Sequence, residues 1–268
     1  MADGATIIHN PARSHEGEVT AFVINLDKDR SRLDWVAGQL RRAGIKMRRV
    51  PAALGSDLPE PILARHRKDG ERPLSPAEVG CIESHILAAN TLIETGLPYA
   101  LIVEDDVHVS AGAAATVREL ATHLDKFAII KLEATPMGID VDTRSIAVGR
   151  HRLAELRSGQ LGTAAYLVSR AGAEIIAARL SDTPKPADFA LFSPPYDEFR
   201  VGQVMPALFQ QDSFTENPSF PSLMGERETG MRGDRGMLFR LVYPLLVLGY
   251  NILNLPKGRR RVKILFTR

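Results

Sequence analysis

An α/β fold, with a mostly parallel sheet and flanking helices, is predicted by three features of this 268-residue chain. Short apolar runs alternate with longer amphipathic stretches between residues 20 and 180, as expected for strands joined by helical crossovers. Two of the amphipathic stretches open on strong helix-start signals. One apolar run, Leu101-Ile102-Val103, stops abruptly at Glu104-Asp105-Asp106.

Each element follows from local pattern. Thr20 to Leu26 is β-branched and aromatic, so it reads as a buried strand. A helix is expected from about Ser31 to Ala43, with Ser31 and Asp34 at capping-box spacing and Gly44 as the stop. Met47 to Leu54 suits a second strand, and 55–74 reads as a loop rich in Pro, Gly and charge. Ser75-Pro76-Ala77-Glu78 then combines an N-cap, a first-turn proline and a third-position acid. That helix should run to Thr95, with Val79, Ile82, Ile86, Ala89 and Ile93 on its inward stripe. Tyr99 to Val103 is a buried strand, 113–124 a helix, and Phe127 to Leu132 another strand. Tyr166 to Val168 feeds a helix capped by Ser169, and beyond Ser181 frequent prolines thin out regular structure.

Composition bounds the class. With 44% hydrophobic and 25% charged residues, the chain is not disordered, collagenous or a polytopic membrane protein. Its single cysteine, Cys81, excludes an internal disulfide and points to a reducing, cytoplasmic setting. No cleavable signal peptide is expected in the first twenty residues. Charge is uneven. Residues 231–268 hold nine basic side chains against Asp234 alone, while the rest of the chain is mildly acidic. Three regions are therefore expected: a flexible N-terminus (1–19), a catalytic domain (20–230) and a basic, apolar tail (231–268).

The acid triplet is the most informative motif. Three adjacent carboxylates repel one another, and a cation would offset that cost at a buried strand tip. In extended backbone Glu104 and Asp106 share one side and Asp105 takes the other. Oxygen ligands suit a hard divalent ion such as Mn²⁺ or Mg²⁺, and open α/β sheets bind ligands at the carboxyl ends of their strands. A solvated acidic turn is the alternative. His85 lies beside the apolar stripe of its helix, as a hydrogen-bonded core residue or a ligand. Cys81 suits core filling better than nucleophilic chemistry.

Several blocks in order resemble glycosyltransferase family 25, the lipooligosaccharide-biosynthesis type of sugar transferase. They are Val23-Ile24-Asn25-Leu26-Asp27 with Arg32, Leu74 to Cys81 with Ser84-His85, and Leu101 to Asp106. Gly162 to Ser169, Pro186-Ala187-Asp188, and Pro206 with Gln210 follow. The resemblance implies a GT-A-like, Rossmann-like sheet that binds a nucleotide sugar and a divalent metal. It implies Asp106 as metal ligand with Glu104 assisting, and Asn25, Arg32 and Asp105 on the donor side. It also implies an inverting enzyme, commonly a galactosyltransferase using UDP-galactose.

The chemistry adds roles. Departure of UDP develops negative charge that a metal and a cation such as Lys131 would neutralise. Inversion needs one carboxylate base for the acceptor hydroxyl, and Asp188 is the candidate. His85, Thr163, Tyr166 and Gln210 are expected around the sugar or acceptor, although Tyr166 equally suits the core. Two other classes fit less well: a silent nucleotide-sugar-binding or membrane scaffold, and a Mg²⁺-dependent phosphoryl- or nucleotidyl-transfer enzyme.

Met237 to Pro256 is mainly apolar, but its longest uncharged apolar stretch lies between Arg240 and Asn251, short of the roughly 20 residues of a membrane-spanning helix, and Pro244 and Gly249 interrupt it. Lys257, Arg259, Arg260, Arg261 and Lys263 follow at once. That pairing predicts peripheral contact with an anionic membrane at its inner, cytoplasmic face; a helix packed on the body is the alternative. An acidic body argues against nucleic acid as a partner.

Overall fold

β1 (Thr20–Asn25) is buried along most of its length and occupies the predicted first strand. The computed structural model describes residues 17–194, 196, 199–220 and 247–267. Most of the N-terminal region and the first half of the tail, including Arg232, Asp234, Arg235, Arg240 and Pro244, therefore lie outside the described residues. Helix α1 (Arg30–Arg42) follows β1, and its N-cap is Asp29, with no side-chain cap bond. Ser31 is thus inside the first turn, and the expected capping box does not form there. β2 (Lys46–Pro51) pairs parallel to β1.

The stretch expected to be a loop contains a 3₁₀ turn (Gly55–Asp57) and a short helix, α2 (Glu60–Arg65). Helix α3 (Pro76–Thr95) starts as predicted. Ser75 accepts the Glu78 N–H, the Glu78 carboxylate accepts the Ser75 N–H at 2.7 Å, and Gly96 terminates the helix at φ 69°. Gly80 lets the helix lie against the 53–55 backbone, since a Cβ there would stand 2.7 Å from the Ala53 carbonyl oxygen.

β3 (Tyr99–Glu104), β4 (Val107–Val109), α4 (Ala113–Ala121) and β5 (Ile129–Lys131) come next. A long hairpin, β6 (Thr135–Val148) and β7 (His151–Leu156), was not predicted; its half-exposed strands lack a continuous apolar run. β8 (Ala165–Ser169) leads into α5 (Arg170–Leu180), where the Ser169 hydroxyl accepts the Gly172 N–H. α6 (Ala187–Phe192), β9 (Val201–Met205), β10 (Phe209–Gln211) and β11 (Arg259–Ile264) complete the set.

Nine strands form one sheet in the order β11-β6-β7-β9-β5-β8-β3-β1-β2, and β4 pairs with β10 beside it. Alternate side chains of the central strands enter two cores. Phe22, Ile102 and Val168 pack with α3, α5 and α6 on one face. Val23, Leu101, Val103 and Leu167 pack with α1 and α4 on the other. The α/β class with helices on both faces is as predicted.

The parallel majority is not. β1–β2, β1–β3 and β5–β9 are parallel, whereas β3–β8, β5–β8, β6–β7, β7–β9 and β6–β11 are antiparallel. β8 runs between β3 and β5 in the opposite sense, and a tight hairpin such as β6–β7 can only be antiparallel. Part of the expected tail also belongs to the sheet, because β11 pairs with β6 and buries Ile264. Among the described residues no helix is long and apolar enough to cross a membrane.

Candidate active site

The acid triplet stands where the sheet turns over. β3 ends at Glu104, and Asp105 and Asp106 form the turn into β4. Because the backbone turns here, the strict alternation of an extended strand does not hold. Asp105 and Asp106 share one guanidinium: Arg32 Nε lies 2.8 Å from Asp105 Oδ1, and Arg32 Nη2 lies 2.9 Å from Asp106 Oδ2. Glu104 points to a different set of partners. Its Oε1 accepts the Thr163 hydroxyl at 2.6 Å and lies 3.4 Å from His85 Nε2.

The donor-side residues expected from sequence meet at the triplet. Asn25, the last residue of β1, donates to Asp105 Oδ2 at 2.7 Å and receives Arg49 Nε at 3.0 Å. Arg32 is buried and ion-paired with both aspartates through Nε and Nη2, with the Phe220 ring 5.6 Å from its guanidinium. It braces the two acids. Asp106 also receives Gln211 Nε2 at 3.4 Å, and its carbonyl accepts the Asp212 N–H at 2.7 Å.

Burial and crowding set the acidities. Burial, together with the Glu104 charge, pushes Asp106 up to about 7 against the pull of Arg32. Asp105 is raised by burial, partly offset by Arg32 and Asn25. Burial also works to raise Glu104, but the hydrogen bond and charge of His85, with Thr163 and Arg32, hold it below the ordinary value. Asp106 Oδ1 is buried with no hydrogen-bond partner. A buried carboxylate oxygen left unpaired is costly, and a cation would satisfy it.

Two donor sets are available for a metal. Cys81, His85 and Glu104 each bring one ligand atom to within 4.8 Å of the others, a partly buried group, with only His85 fully inside, that could hold an ion. Sulfur and imidazole suit a borderline ion such as Zn²⁺, and burial first, then the Glu104 charge, push the Cys81 thiol far up, away from the thiolate. Asp106 and Glu104 offer oxygen alone, which suits Mn²⁺ or Mg²⁺.

Beneath Glu104 lies a second network. His85 Nδ1 pairs with the Tyr166 hydroxyl at 2.9 Å, and both side chains are buried, which makes Tyr166 a core residue that orients His85. Lys131 is fully buried. Its Nζ lies 2.9 Å from Glu133 Oε1, donates to the Gly162 carbonyl at 2.6 Å and sits 4.0 Å from the Phe192 ring centre. The expectation that it meets a diphosphate is therefore corrected: its charge is already paired, below the 162–164 segment. Glu133, pushed to about 7 by burial against the pull of Lys131, accepts the Ala164 N–H at 3.3 Å.

Asp188 opens α6 and reaches the same segment. Its Oδ2 accepts the Gly162 N–H at 3.0 Å and its Oδ1 accepts the Phe189 N–H at 2.8 Å. Gly162 has φ 92°, and a Cβ there would lie 2.8 Å from Glu133 Oε2. Asp188, Gly162, Thr163 and Glu104 are thus linked in one chain of contacts. Gln210 instead donates to the Phe214 carbonyl at 3.1 Å on β10, away from that chain.

Glu133, Gln211, Asp212 and His108 were not singled out from sequence. Asp212 is buried, pairs with His108 Nε2 at 2.8 Å and accepts the Ser219 and Phe220 N–H groups, so it pins the 212–220 loop beside Arg32. Glu133 carried a signal, because it lies two residues past Lys131 and shares its side of the strand.

A buried acidic turn at the carboxyl end of β3 lies where open α/β sheets bind their ligands. Residues 19–191 match the model of glycosyltransferase family 25, described as an LPS biosynthesis protein. The chain belongs to this family and is a glycosyltransferase. Over 152 residues it is 32% identical to the lacto-N-neotetraose biosynthesis glycosyltransferase LgtB of Neisseria meningitidis serogroup A, covering 52% of this chain and 54% of that one. Against LgtB of serogroup B it is 29% identical, covering 71% of this chain and 74% of the relative. A solved glycosyltransferase involved in glycosylation of the major capsid of PBCV-1 aligns over 80% of this chain and 98% of its own, with a TM-score of 0.44 and 12% identity.

Proposed function

We propose that this glycosyltransferase moves a hexose, galactose in our reading, from a UDP-sugar to a hydroxyl of a glycolipid or lipopolysaccharide-core acceptor, with inversion at the anomeric carbon. The buried Asp106 oxygen without a partner, beside Glu104 at the carboxyl end of β3, is the observation that carries this reading. Family membership and relatives named for lacto-N-neotetraose biosynthesis support it. Asp106, assisted by Glu104, would hold Mn²⁺ or Mg²⁺. A divalent ion there supplies positive charge for the departing diphosphate.

The remaining work falls to the chain. Arg32 and Asn25 hold Asp105 and Asp106 in place. Thr163 and His85 orient Glu104, and Asp188, Lys131 and Glu133 hold the 162–164 backbone beside it. Asp188, tied to that segment, takes the proton of the attacking hydroxyl as the bond to the anomeric carbon forms and the bond to UDP breaks. The described sheet, β11 included, and its flanking helices form the catalytic unit in this reading. The acceptor is met in the cytoplasm at the inner membrane face, where residues 231–268 supply basic and apolar surface.

Asp106→Asn tests the site. UDP release with Mn²⁺ should fall at least 100-fold while thermal unfolding and circular dichroism stay those of the parent. Chelation with EDTA should reduce the parent to a similar level, and added Mn²⁺ should restore it. Full turnover in the variant would reject the assignment. Comparing UDP-galactose, UDP-glucose and UDP-N-acetylhexosamines identifies the donor.

A further inference from the structure

The C-terminal segment carries an unusual helix. Residues 247–254 are helical, and the side turned to the protein is polar. The Tyr250 hydroxyl donates to Asp140 Oδ2 at 2.5 Å, and the Arg261 guanidinium lies 5.6 Å from the Tyr250 ring centre. Asn251 brackets the Arg261 backbone: its amide donates to the carbonyl at 3.2 Å and its Oδ1 accepts the N–H at 2.5 Å. At about 100° per residue, Leu248, Ile252 and Leu253 fall on the other side. They are 57%, 59% and 74% exposed, and Leu255 and Leu265 nearby are 54% and 61% exposed. A helix on a water-facing globule turns its apolar stripe inward; this one turns it outward. Lys257, Arg259 and Lys263 are exposed in the same segment.

The mount is firm, and residues 265–267 connect it to the strand leading towards the site. β11 pairs with β6, and the Ala207 N–H donates to the Leu265 carbonyl at 2.7 Å, two residues before β10. β10 carries Gln211, which touches Asp106.

We propose that the outward face of residues 247–255 docks on an anionic lipid bilayer, its leucines and isoleucine entering the headgroup–acyl boundary while Lys257, Arg259 and Lys263 meet the lipid phosphates. Apolar residues flanked by basic ones match that surface in both hydrophobicity and charge. The proposal deepens the reading of a membrane-borne glycolipid acceptor, and its purpose rests on that reading. Through β11 and residues 265–267, the docked face would hold the acceptor side at a set distance from the bilayer.

Flotation of the full chain with phosphatidylcholine vesicles, with and without phosphatidylglycerol, tests this. The parent should float with the anionic vesicles and at least tenfold less with the neutral ones. The triple variant Leu248→Ser, Ile252→Ser, Leu253→Ser should lose at least tenfold of that binding, and Lys257→Ser, Arg259→Ser, Lys263→Ser should lose the preference for anionic lipid. Both should keep the parent's rate on a water-soluble acceptor sugar. A parent that floats with neither vesicle overturns the proposal, as does an apolar variant that floats like the parent. So does a parent dimer that the apolar variant dissolves without change in flotation, because a second copy would then be the occupant. Absence of sugar transfer with flotation as expected rejects the enzymatic reading and leaves the docking face standing.

Discussion

Asp188 and Gly162 meet at a single hydrogen bond, yet they answer to different forces. Asp188 uses one lone pair of each oxygen on backbone N–H groups, which leaves acceptor capacity for a substrate hydroxyl. Asp188→Asn keeps the outline and removes the proposed base, at the cost of one of the two backbone N–H contacts. Turnover should fall by about 100-fold or more, with the KM for donor changed less than about threefold. Steady-state kinetics checks this, and unchanged turnover would move the base elsewhere. Gly162 is constrained by backbone and space together: its positive φ strains any L side chain, and Glu133 occupies the room a methyl group needs. Gly162→Ala should cost about 1–3 kcal/mol in urea unfolding and also depress turnover. The triplet, Asn25, Arg32, Asp188 and Thr163 were legible in sequence as residues with chemistry. Arg32 as a buried brace was not, because its carboxylate partners lie far along the chain at the β3–β4 turn; for Lys131 the partner stood two residues on, at Glu133, and only its burial was hidden.

Helix α3 shows what an element contributes. Its capping box satisfies N–H groups that would otherwise be orphaned, and Arg72 adds contacts to Glu78 at 2.7 and 3.1 Å. Burial works to raise Glu78, but the hydrogen bonds from Arg72 and Ser75 outweigh it and leave Glu78 below its ordinary value. A carboxylate lowered in the folded state stabilises above its unfolded pKa of about 4.3, and that contribution disappears as pH falls through the lower folded value. Glu78→Gln should therefore lose about 1 kcal/mol at pH 7, and the gap to the parent should close below about pH 4. Chemical denaturation across that range measures it; a gap independent of pH would contradict the linkage. This helix was predictable because its signals lie within four residues. The α1 capping box failed since the chain leaves β1 through the Asp29 turn, which places the N-cap two residues earlier than spacing alone suggests.

At the scale of the molecule, the last strand decides where the fold ends. β11 pairs with β6, and Ile264 is 2% exposed within the core shared by α3 and α5. Ile264→Ala should cost about 2–4 kcal/mol, a loss expected for core truncation and not for a detached tail. Thermal melting will show a clear drop in Tm; a melting curve like the parent's would mean β11 contributes nothing to the fold. The sequence by itself determined the strand–helix alternation, the capped helices and the acid turn, because each depends on neighbours a few residues apart. Tertiary structure alone decided the mixed strand order, the β6–β7 hairpin and the docking of β11. It also decided that Arg32 pairs with Asp105 and Asp106, and that Lys131 reaches the Gly162 carbonyl. Those outcomes depend on groups far apart in the chain, whose meeting is set by packing and by the need to neutralise every buried charge.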